Sequence, residues 1–129
     1  MATGMIKKNL VLLWKNPAPS SGFSSQTVLT ADEIAGFDWF LIELKNYYTE
    51  NVIQETIVNR DTPMYATVYG IATFNTSAAG AANISFRLVT ISSSGLKIGS
   101  GYSKQLNSTA VASASNNVAI PIRVYGINF

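Results

Sequence analysis

Hydrophobic and polar positions alternate along most of this chain, and its longest apolar run, Phe37-Asp38-Trp39-Phe40-Leu41-Ile42-Glu43-Leu44-Lys45, sets the frame for the rest. Alternation places Asp38, Phe40, Ile42 and Leu44 on one face, with Phe37, Trp39, Leu41, Glu43 and Lys45 on the other. Both faces begin apolar. A half-solvated strand alternates cleanly, so this one is either a central strand covered on both sides or a strand whose second face meets another chain. Phe37, Trp39 and Leu41 are therefore the candidate subunit-contact residues.

The flanking segments predict further short strands. Asn9 to Lys15 forms a first strand, stopped by Asn16-Pro17-Ala18-Pro19, because proline cannot donate to a ladder. Phe23 to Thr30 alternates weakly, as a short edge strand does. Thr30-Ala31-Asp32-Glu33 has the capping-box spacing, and Gly36 follows, so one helical turn is predicted there. Val52 to Arg60 pairs back on the long strand as a hairpin. Met64 to Phe74 forms the next strand, in which Gly70 predicts a bulge or a close neighbour. Asn83 to Ile91 is read with Ile84, Phe86 and Leu88 inward and Ser85, Arg87 and Val89 outward. A turn at Ser92 to Gly95 leads into Leu96 to Tyr102 as one strand. Leu106 to Ser115 is either a weak edge strand or a long loop, and Val118 to Tyr125 is the last strand. Pro121 predicts that this strand lies at an edge or turns its missing N–H to the unpaired side. Seven to eight strands at roughly ten-residue spacing, without a sustained helical period, predict an all-β, antiparallel, jelly-roll-like sandwich.

Composition narrows the partners. At 129 residues the chain makes one domain, assigned to residues 9–129, with 1–8 as a leader or a connection to a preceding segment. Charged residues are 12% of the chain and apolar ones 47%, so little charge is left to solvate the surface. Either Ser, Thr, Asn and Gly cover much of it, or part of it is hidden in an oligomer. A net charge of +2 is too small and scattered for a nucleic-acid partner. No apolar stretch approaches the ~20 residues of a membrane helix, so no membrane insertion is expected. The Leu10 to Trp14 run is too short for a signal peptide's apolar core.

Cysteine and histidine are both absent. That removes thiolate zinc sites, disulfides, the cysteine nucleophile and the usual neutral-pH general base. No dense Asp spacing suggests a calcium loop, so no metal or cofactor is expected. Glu43 and Glu55 fall on the two strands of the predicted hairpin, where they could stand at glycosidase distance. Isolated acids on outer strand faces are more often solvated or paired with Lys45 or Arg60, so catalysis is not expected. Aromatic side chains commonly hold sugars, and most of those here are explained by cross-strand packing. Tyr47 and Tyr48, with Asn46, Glu50 and Asn51 around them in a polar loop, form the candidate ligand-binding group. Arg60, Arg87 and Arg123 each fall on a strand, where an outward arginine usually solvates a face or pairs across chains.

Four segments in order, Leu12-Leu13-Trp14-Lys15-Asn16-Pro17, Phe23-Ser24-Ser25-Gln26-Thr27-Val28, Phe37-Asp38-Trp39-Phe40-Leu41-Ile42 and Asn117-Val118-Ala119-Ile120-Pro121-Ile122-Arg123-Val124-Tyr125-Gly126-Ile127, carry a likeness. They span nearly the whole chain, which resembles small C-terminal β-domains of phage tail-fibre and baseplate proteins, including those of gut phages and prophages. The resemblance implies a homotrimeric sandwich at a fibre tip, in the virion and acting outside the cell, where it binds a bacterial surface glycan or protein. Such families share no fixed catalytic motif, so no functional residue is carried over. A fibre tip normally follows a shaft, and here about eight residues precede the first strand, which suggests an excised domain or a small standalone virion protein. The alternative classes are a monomeric carbohydrate-binding or lectin-like domain that uses Tyr47 and Tyr48, and a glycan-degrading enzyme that uses Glu43 or Glu55.

Overall fold

The computed structural model describes residues 9–60, 67–76, 82–106 and 109–128. It contains ten strands: β1 (Leu10–Lys15), β2 (Gln26–Leu29), β3 (Trp39–Tyr47), β4 (Ile53–Asn59), β5 (Thr67–Thr76), β6 (Ala82–Ser92), β7 (Gly95–Ile98), β8 (Tyr102–Gln105), β9 (Ser113–Ala114) and β10 (Val118–Ile127). One short helix, α1 (Ala31–Ile34), joins β2 to β3. A four-stranded antiparallel sheet, here sheet A, runs β1-β10-β3-β4. The six-stranded sheet B is centred on β6, which pairs with β5 along one edge. Its other edge is shared, with β7 taking Val89–Ser92 and β8 taking Asn83–Phe86; β2 and β9 lie outside these.

The two sheets pack face to face as the expected sandwich, with the chain crossing between them at β1/β2, β2/β3, β4/β5 and β9/β10. Strand number exceeds expectation because Leu96 to Tyr102 does not run on as one strand. It breaks at Gly99-Ser100-Gly101, where the carbonyl of Ser115 approaches Gly101 so closely that a Cβ would collide with it. The segment after β8 contributes only the two-residue edge strand β9.

Strand β3 is central, hydrogen-bonded to β10 on one side and β4 on the other, so its amides are satisfied along both edges. Phe40, Ile42 and Leu44 point into the sandwich and meet Ile71, Val89, Leu96 and Ile98 from sheet B. Phe37 lies before the strand, so the period-two frame does not reach it. Its ring is packed against the bare backbone of Gly126 and tilted against Phe40, with ring centroids 6.3 Å apart. It belongs to the core, not to the outer face where alternation places it.

The predicted helical turn is present with both halves of its capping box. The Thr30 N–H donates to Glu33 Oε1 at 2.9 Å, and the Glu33 N–H donates to Thr30 Oγ1 at 3.3 Å. The Gly70 expectation is not met: β5 and β6 keep continuous register through Gly70↔Leu88, and nothing lies within 4 Å of where its Cβ would be. Pro121 is not on an edge strand either, since β10 lies between β1 and β3. A break in register between Pro121 and Arg123 accommodates the missing donor. Asn16 seals that irregularity by donating from Nδ2 to the Pro121 carbonyl at 2.8 Å.

Strand β6 faces opposite to the expected sense. Ser85, Arg87, Val89 and Ile91 point inward, and Leu88 is exposed. Arg87 dictates this, because its guanidinium is fully buried yet richly bonded. Nε donates to the carbonyls of Val118 (3.2 Å) and Ala119 (2.9 Å), and Nη1 donates to Gly99 (2.8 Å). Nη2 donates to Asn116 (3.1 Å) and Val118 (3.0 Å). The Phe23 ring covers the group, with its centroid 5.2 Å from Cζ. Ala119 takes a left-handed φ of 48° beside this fork, a cost of roughly 1–2 kcal/mol set against the bonds its carbonyl and its neighbour's make. Burial pushes the Arg87 guanidinium down to about 10, which leaves it charged at neutral pH.

Candidate functional site

Two surfaces carry the candidate residues. The first lies at the end of the sandwich where β3 finishes and β10 starts. There the interior changes from aliphatic to polar. Ladder register aligns Thr73, Ser85, Ser103 and Ser113 across β5, β6, β8 and β9, and the next rung pairs Asn83 with Gln105. Asn46, on the inward face of β3, meets this row when Thr73 Oγ1 donates to its Oδ1 at 3.0 Å. The result is a cleft of about 460 Å³ between the sheets, lined by Asn46 and Tyr47 from β3, Asn83 and Ser85 from β6, Ser103, Lys104 and Gln105 from β8, residues Ala110, Val111 and Ser113, and Val118. Among the described residues no carboxylate lines it, and Lys104 is the only charged residue that does.

The sequence-predicted ligand group is only partly assembled here. Asn46 and Tyr47 stand together in the cleft wall, Tyr47 on its exposed rim. Tyr48 turns back, stacks at a tilt on Tyr47 with centroids 4.6 Å apart, and packs against the core. The Glu50 N–H donates to the Tyr47 carbonyl at 2.9 Å within the turn, and Asn51 is exposed beyond it; neither lines the cleft. Asn83, Ser85, Ser103, Lys104 and Gln105 are the contributors that the alternation pattern did not single out. The signal for Ser85 was present as a serine sharing parity with Arg87, and it is lost when β6 is read with the opposite face inward.

The second surface is the outer face of sheet A. Register puts Leu10, Ile127 and Trp39 in one row and Leu12, Tyr125, Leu41 and Ile57 in the next. Leu12 is 51% exposed, Trp39 40% and Ile57 45%, while Leu41 and Ile127 in the same rows are buried in the single chain. Beside them runs a charged row, Lys15, Arg123, Glu43 and Glu55, in strand order from β1 to β4. Arg123 Nη1 holds Glu43 Oε1 at 2.8 Å, and this bond raises the guanidinium above its ordinary value. Burial, then the Glu43 carboxylate, pushes the Tyr125 phenol up. Glu43 and Glu55 are direct cross-strand neighbours, as the predicted hairpin requires, but Glu43 is committed to Arg123.

Of the expected contact residues, Trp39 is exposed on the outer face, whereas Leu41 shares that face by register but is already buried within the single chain. Among the described residues no cluster of three or more His, Cys, Asp or Glu is placed to hold a metal ion, and no helix is long and apolar enough to cross a membrane. No family model, no curated protein and no solved structure matches this chain.

Proposed function

We propose that this chain is a non-enzymatic structural and host-adhesion domain of a phage tail fibre or baseplate, closed into a homotrimer by the outer face of sheet A. The observation that carries this reading is the exposure of Leu12, Trp39 and Ile57 on the outer face of sheet A, which water penalises at ~25 cal/mol for each Å² left exposed. The resemblance of the four sequence segments supplies the setting, namely a virion protein that meets a bacterial surface glycan or protein.

The polarity of the charged row supports a closed ring of copies. When several chains turn sheet A toward a common axis, the β1 edge of each lies beside the β4 edge of the next. The β1 half of the row is basic, with Lys15 and Arg123, and the β4 half is acidic, with Glu43 and Glu55. Each junction therefore brings Lys15 of one copy to Glu55 of its neighbour, a head-to-tail contact that repeats without leaving an unmatched edge. Lys15→Glu should weaken assembly, and adding Glu55→Lys in the same chain should restore it. Sedimentation velocity over a dilution series measures the outcome. One exposed pair contributes only about 0.2–1 kcal/mol, but three act together in the ring. Indistinguishable association for wild type, single and double variants would remove the junction from the proposal.

A further inference from the structure

We infer that the polar cleft at the β3/β10 end of the sandwich is a saccharide site. The inference rests on the adhesion half of the function proposed above and gives it a location and a ligand class.

Two buried side chains carry the argument. Asn46 is 7% exposed, and one end of its carboxamide is taken by Thr73; among the described residues the other end has no partner. Ser85 is 4% exposed, and its hydroxyl likewise has none. Both line the cleft. A buried polar atom left unsatisfied costs about 1–3 kcal/mol, so two such atoms on one wall call for an occupant that both donates and accepts. Apolar ligands cannot meet that demand. Neighbouring hydroxyls of a sugar ring can, with Asn46 and Ser85 at the floor and Ser103 and Gln105 beside them.

The rest of the wall refines the class. Tyr47 on the rim offers a ring face of the kind that packs on the C–H face of a pyranose. A cleft of about 460 Å³ is within the range of small-molecule sites. Its position at the end of the sandwich leaves the outer face of sheet A free for subunit contact.

The test is an amide-resolved NMR titration of the assembled protein with glucose, galactose, glucuronate and galacturonate, with acetate and inorganic phosphate as ion controls. The signals of Asn46, Ser85 and Ser103 should move with the sugars. Ser85→Ala, which removes only a hydroxyl without a described partner and should fold normally, should weaken every sugar by about tenfold. The inference is overturned if no sugar moves these signals at millimolar concentration, if the shifts map elsewhere, or if the free ions reproduce them. The native mass is indifferent to all of these results, so failure here leaves the self-association proposal standing.

Discussion

Arg87→Met should lower the unfolding free energy by about 3–5 kcal/mol, enough to leave a domain of ordinary stability partly unfolded. Methionine fills much of the same volume, so the loss is one of hydrogen bonding rather than of packing. It removes the side-chain donor from the carbonyls of Gly99, Val118 and Ala119 in a region closed over by Phe23, and leaves Asn116 with only the Phe23 N–H. Arg87→Lys should recover little of the loss, because a single ammonium cannot span carbonyls arranged around a planar fork. Denaturant unfolding of the three proteins is the check. A loss below about 1 kcal/mol for Arg87→Met would mean that these carbonyls find other partners and that the buried guanidinium does not hold β10 to sheet B.

The second large effect separates two neighbours on one strand. Phe40 is fully buried in the centre of β3, paired with Val58 and Gly126 and packed on Phe37. Phe40→Ala should cost about 3–5 kcal/mol through lost transfer energy and the cavity left behind. Trp39, one residue earlier, faces outward and is 40% exposed in the single chain. Trp39→Ala should change the unfolding of a diluted, dissociated chain by much less while weakening association. Thermal unfolding and sedimentation on the same two variants read the two faces independently. Equal destabilisation by both, with association untouched, would show that the outer face is not a contact surface.

These two residues also show where sequence patterning suffices. Alternation through Trp39 to Lys45 correctly separates the faces of β3, because its continuous ladder with β4 enforces period two and the irregularity on the other edge falls in β10. One step earlier it fails: Phe37 lies in the turn before the strand, where side-chain direction follows the path of the backbone toward Gly126. The hairpins β3/β4 and β6/β7 and the capping box at Thr30 are legible for the same reason, since each depends on residues close in sequence.

What was not legible depends on partners distant in sequence. Apolar counting turns Ile84, Phe86 and Leu88 inward, but five bonds from Arg87, four of them to carbonyls about thirty residues away, outweigh it. That inversion hid the polar cleft, because Ser85 and Asn83 follow Arg87 to the inner face. Asn46 and Tyr47 were visible as a polar, aromatic strand end. Their companions from β8 were not, since only the pairing of β6 with β8 brings Ser103 and Gln105 to the same wall. Pro121 misleads in a similar way: a break in register within the sheet, sealed by Asn16, removes the usual objection to proline in a central strand.

The most direct test of self-association through sheet A is the mass of the native particle by light scattering at micromolar concentration. A mass three times the 13.9 kDa of the chain is the expected result. A monomer would contradict it.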